Sequence, residues 1–145
     1  MKLNNLFVIG LLLLISSCEY YNDIDRLVIK EWEATRSNKC CIVDFSKTLF
    51  FDWDSMYYFS GAYSLEEINK YLGRKVDSFT DIGDRVVFVN NGYIIRHYEW
   101  CKYFDGEPQG VVFSVNSNTF SIDKNKAIFL VQKKKNLYML SFYNQ

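Results

Sequence analysis

Arg85-Val-Val-Phe-Val-Asn-Asn-Gly-Tyr-Ile-Ile-Arg-His-Tyr-Glu-Trp100 is the stretch on which the fold turns. Two runs rich in β-branched and aromatic residues, Arg85 to Asn90 and Tyr93 to Trp100, flank Asn91-Gly92. Asn-Gly supplies the two positive-φ positions of a type I′ turn, whose twist matches that of the strands it joins. Register counted from that turn sets Val89 opposite Ile94, Phe88 opposite Ile95 and Val86 opposite His97. His97 is thereby expected on the face shared with Phe88 and Ile95.

Further strands follow. Val111 to Val115 reads as one, ended by Asn116-Ser117-Asn118, and Thr119 to Ile122 as a short one. Ala127 to Val131 and Leu137 to Tyr143 form a last hairpin, with Lys133-Lys134-Lys135-Asn136 at its tip. Asp105 to Gly110 is a turn-rich loop around Pro108, the single proline. Helices come earlier. Ser64 and Glu67 make a capping box before Leu65 to Leu72, Tyr63 and Ile68 occupy the staple positions, and Gly73 is the left-handed stop. Ile24, Leu27, Val28 and Trp32 share one face of a second helix, capped by Asn22 or Asp23. Cys40 to Phe45 has no settled class, and Met56 to Phe59 reads as a strand. The expected class is α+β: one or two N-terminal helices packed on a mainly antiparallel sheet of about five to six strands.

The N-terminus carries an address. Lys2, an apolar run from Leu6 to Ile15, and then Ser16-Ser17-Cys18 make a removable signal too short to span a bilayer. Its small residues before a cysteine resemble the lipobox of bacterial lipoproteins. The resemblance implies a lipid on the Cys18 thiol, cleavage before Cys18, and an address on a cell-envelope membrane, the outer membrane favoured and the leaflet left open. Two acyl chains hold a protein on a membrane stably. The expected organisation is a signal at 1–17, a lipidated tether at 18–22 and a single domain over 23–145.

Formal net charge is zero, so no global basic field recruits nucleic acid. No metal or cofactor is expected: Cys40-Cys41 is not zinc spacing, Asp77, Asp81 and Asp84 lack EF-hand spacing, and the seven glycines are scattered. With Cys18 acylated, Cys40, Cys41 and Cys101 remain, and either Cys41 or Cys40 is a candidate to bridge Cys101 in an oxidising compartment.

Three groups of residues could carry function. Asp52 and Asp54, two apart, would share a face if they lay in a strand, where paired carboxylates do acid–base work. With His97, the only histidine, they are the candidates for a small envelope hydrolase. The opposing reading has Asp52 and Asp54 solvated and Trp53 turned into the core. Eleven tyrosines and twelve phenylalanines offer an aromatic contact surface, with Tyr57, Tyr93, Tyr98 and Tyr103 as its candidates. Such a surface suits a protein partner or a glycan. The basic tip at Lys133–Lys135 reads as a solubilising charge cluster or as a contact to anionic headgroups.

The run Asp52-Trp53-Asp54, Tyr57, Phe59, Tyr63-Ser64, Glu66-Glu67-Ile68-Asn69, Leu72-Gly73 and then the Asn-Gly hairpin resembles a group of small bacterial lipoproteins of the Bacteroidetes kind. That likeness covers roughly residues 50–100 and implies no activity. A lipidated start and a Leu-Gly helix end before an antiparallel sheet are similar, at the level of fold alone, to BamE-type assembly lipoproteins. The expected function is a membrane-anchored, non-catalytic binding module of the envelope with a protein partner.

Overall fold

The computed structural model describes residues 21–36, 39–77, 79, 83–100 and 108–143. Its centre is the Asn-Gly hairpin: β3 (Asp84–Asn90) and β4 (Tyr93–Trp100), with Asn91 at φ 47° and Gly92 at φ 83°. Val89 faces Ile94, as counted from the turn. Beyond that pair the register shifts, so Phe88 faces Arg96, Val87 faces His97 and Val86 faces Tyr98. Ile95 is the extra residue of a β-bulge, and a bulge moves every later side chain to the other face. The expected pairs Phe88–Ile95 and Val86–His97 are therefore corrected. The shift turns Tyr98 and Trp100 inward and sends His97 to the opposite face from Phe88, where its ring meets Phe79 edge-on at 5.1 Å.

The expected single sheet is two sheets of four strands. The remaining strands are β1 (Cys41–Asp44), β2 (Ser55–Phe59), β5 (Gly110–Phe113), β6 (Thr119–Asp123), β7 (Ile128–Lys134) and β8 (Leu137–Phe142). One sheet runs β1-β7-β8-β5 and the other β4-β3-β2-β6. All pairs are antiparallel except β5 with β8. The Cys40 to Phe45 run resolves into β1 and a single turn of helix, α2 (Phe45–Thr48), capped by Asp44.

The two sheets pack face to face. Val43, Phe129, Val131, Tyr138, Leu140 and Phe113 of the first meet Met56, Tyr58, Val86, Phe88 and Ile122 of the second in one core. Phe88 is ringed by Phe51, Trp53 and Tyr98. Trp53 is buried there, as its core-facing reading required.

Helices close two sides. α1 (Asp23–Thr35) buries Ile24, Leu27 and Val28 in that core, and Trp32 meets Tyr138 edge-on. Asn22 caps it, and Asp25 completes a capping box. α3 (Leu65–Leu72) covers the other face of the second sheet, where Phe59, Ile68, Val76, Val87 and Val89 form a separate small core. Its box of Ser64 and Glu67 and its stop at Gly73, φ 63°, stand as read from the sequence. Arg85 is wholly buried on this face. Its Nε approaches the Glu99 Oε1 at 3.4 Å, an Nη donates to the Tyr63 carbonyl, and its guanidinium lies 5.3 Å from the centre of the Phe79 ring.

Candidate functional site

The buried Asp25 carboxylate organises one end of the molecule. It sits at the N3 position of α1 and accepts three hydrogen bonds: from Asn22 N (3.1 Å), from Val111 N at the start of β5 (2.7 Å), and from Trp100 Nε1 at the end of β4 (3.0 Å). It thereby joins the start of α1 to both sheets. Burial raises its pKa above the ordinary carboxylate value, against the lowering effect of these bonds. Next to it, Tyr98 donates its hydroxyl to Asp23 at 3.2 Å. Burial, and then the Asp23 charge, push the Tyr98 pKa up to about 12. Gly110, φ 88°, lies against this cluster: a Cβ there would stand 3.0 Å from Asp25 Oδ1 and 3.7 Å from a Tyr21 ring carbon.

The opposite end is the hairpin tip. Tyr93 is 76% exposed, unusual for so large a ring beside buried strands. Arg74, Lys75, Gly92, Tyr93 and Ile94 line a shallow groove of about 380 Å³. Gly73 ends α3 and delivers Arg74 and Lys75 to this groove, and the Arg74 guanidinium lies where a Gly92 side chain would go. Tyr71, half exposed on the last turn of α3, stacks edge-on against Tyr57 and Phe59.

The expected aromatic surface is thus divided. Tyr57 lies on the α3 side of the second sheet and Tyr98 on the core side, so they cannot meet one partner together. Tyr93 alone of these three is fully presented. Tyr103 lies outside the described residues, as do Cys18, Tyr20, the signal, Cys101 and the first half of the Asp105–Gly110 loop. Cys40 is exposed and Cys41 is buried. Burial, with the nearby Glu31 charge, raises the Cys41 pKa.

The acid–base candidates stand apart. Asp52 and Asp54 precede β2 rather than lying in a strand. Asp54 accepts from the Ser55 hydroxyl (2.6 Å) and from Asn91 N (2.7 Å), bonds that lower its pKa and fasten the hairpin turn. It borders a shallow groove with Ser46, Trp53, Asp123, Lys124 and Asn125, and neither Asp52 nor His97 joins it there. His97 faces Phe79 on the α3 side.

A third surface is the outer face of the first sheet. In β8, Tyr138 and Leu140 point inward, so Leu137 and Met139 point outward. Pro108, Val112, Leu137, Met139, Lys134 and Lys135 line an open groove of about 920 Å³ on this side. Arg74, Lys75 and this face escaped the sequence reading. The terminal position of Gly73 could have flagged the first two, whereas the open face depends on the pairing of distant strands.

Among the described residues no helix is long and apolar enough to cross a membrane, and no group of three His, Cys, Asp or Glu side chains could hold a metal ion. Compared with protein-family models, curated proteins and solved structures, the chain finds no match.

Proposed function

We propose that the protein is a lipid-anchored lipoprotein of the cell envelope, on the outer membrane, whose α+β domain is a non-catalytic binding module for another protein. The supporting observation is the placement of Tyr93. β4 begins at Tyr93 and ends at Trp100, which is bonded to Asp25 three residues beyond Asn22. Seven strand steps of about 3.3 Å set Tyr93 about 23 Å from the anchored end. A lipid on Cys18 therefore holds one end of β4 near the membrane and presents the other to the envelope. Exposed tyrosine beside arginine is the composition of interface hot spots. Arg74 and Lys75 add positive charge, so the fitting partner is a protein with an acidic surface around a pocket for an aromatic ring.

A photo-crosslinking residue at Tyr93, in the lipidated protein in its own membrane, tests this. One stoichiometric protein adduct, absent when the same residue replaces exposed Phe50, is the expected result. Equal adducts from both positions, or none from Tyr93 in a folded and lipidated protein, overturn the reading.

A further inference from the structure

The outer face of the first sheet has the wrong chemistry for water. An antiparallel sheet with one buried face normally turns polar side chains outward. Here Ile42, Val112, Ile128, Leu130, Leu137 and Met139 face outward and belong to neither core. At the β7–β8 tip this apolar strip becomes the groove floored by Val112, Leu137 and Met139, with Lys134 and Lys135 among its lining.

The position of the groove names its occupant. Tyr21 lies against Gly110, and Gly110 is the β5 residue paired with Leu137 in the groove floor. Only Glu19 and Tyr20 separate Tyr21 from Cys18. At no more than about 3.5 Å per residue, Cys18 lies within about 10 Å of Tyr21. A lipid on Cys18 therefore brings a bilayer surface close to the end of the first sheet on which this groove lies. Apolar side chains seat at the boundary of headgroups and acyl chains, and lysines beside them draw anionic headgroups.

We infer that this face is a membrane-seating surface: Val112, Leu137 and Met139 rest in the headgroup region of an anionic bilayer, with the lysine tip on its phosphates. The inference rests on the lipid-anchor reading. It adds an orientation, with the β7–β8 end of that face against the bilayer and Tyr93 directed away from the anchor.

The test uses the lipidated protein in vesicles carrying a trace of phospholipid with a photoreactive headgroup. Phosphatidylethanolamine–phosphatidylglycerol vesicles are compared with phosphatidylcholine vesicles. Flotation reports the anchor, and mapping the labelled peptides reports the face. Label concentrated on Leu137–Phe142, weaker on phosphatidylcholine, supports the inference. It should fall about fivefold for each lysine lost when Lys134→Glu and Lys135→Glu are combined. A Met139→Asn variant, altering one outward side chain, should lower the label while the protein still floats. Flotation with label spread evenly, centred on the Tyr93 hairpin, or unchanged in the variants overturns the seating and leaves the anchor standing. A β8 that crosslinks to a protein in native membranes instead of to lipid also overturns it. Failure to float overturns the anchor reading, and the seating with it.

Discussion

The two sheets each have four strands, yet among the described residues only one is covered on both faces. The second sheet has the first sheet on one side and α3 on the other, and in β3 every residue from Arg85 to Val89 is buried. The first sheet buries one face and leaves the other partly covered among the described residues, and β8 alternates between buried and half-buried positions. A strand covered on both sides reads as a continuous apolar run, because neither face meets water. The second sheet therefore serves as the rigid support. The first keeps an apolar, half-buried outer face that belongs to neither core, and it is there that contact with something outside the chain is to be sought.

Substitutions can break this comparison. Phe88→Ala, in the shared core among Phe51, Trp53 and Tyr98, should cost about 3–5 kcal/mol in urea unfolding. Met139→Ala on the open face should cost under about 1 kcal/mol. Equal losses would mean that the outer face is packed as tightly as the core.

Asp25→Ala comes next, at about 2–3 kcal/mol, because it strands the Val111 N–H and the Trp100 indole N–H together. The sign of its pH effect is opposite to that of most carboxylates. Its folded-state pKa is raised, so the native state binds the proton more tightly than the unfolded chain. Its contribution is thus most favourable below the unfolded value of 3.8 and is lost as pH rises through the folded pKa. Asp54 and Glu67, held low by hydrogen bonds from Ser55 and Ser64 respectively, act the other way and lose their contribution as pH falls. Stability measured against pH for Asp25→Asn should therefore rise relative to wild type as pH increases above about 4. A constant difference across that range would mean that Asp25 is no more protonated in the fold than in the open chain.

Ser64→Ala should cost about 1 kcal/mol by uncapping α3. Amide exchange should quicken in the first turn of α3 while the β7–β8 ladder stays unchanged, which sharpens the division between the covered and the open sheet. The smallest effect belongs to Tyr93→Ser: stability within about 0.5 kcal/mol of wild type, with co-purification of the partner lost. A larger destabilisation would assign Tyr93 to the fold rather than to a partner.

The sequence showed best what is local. The capping box and Gly73 fix α3 within a few residues, and Asn91-Gly92 fixes the tip of the hairpin. The bulge at Ile95 was not legible. Its cause is distant: only by shifting do Tyr98 and Trp100 reach Asp23 and Asp25, some 75 residues earlier in the chain. The division into two sheets was hidden for the same reason. β1 finds β7, and β2 finds β6, across long intervals of chain, and the parallel β5–β8 pair has no turn to announce it. Arg85 and Asp25 look like solvent-facing charges at the ends of elements. Their burial depends on Glu99, Tyr63, Val111 and Trp100, which no pattern of spacing brings to them. The presented Tyr93 was among the expected contact residues, whereas Tyr57 and Tyr98 were separated by the sheet between them.

The three bonds at Asp25 also have a mechanical meaning. If the chain is held at Cys18, any tug passes through Asn22, and among the described residues it meets the Tyr98 bond at Asp23 and then the two long-range bonds of the Asp25 carboxylate. Because it grips Val111 in one sheet and Trp100 in the other, tension is divided between the sheets at the point of entry. If a partner pulls at Tyr93, the line of force runs along β4. β4 itself then carries the tension as a covalent chain, and the bond from Trp100 to Asp25 links that strand to the anchored end.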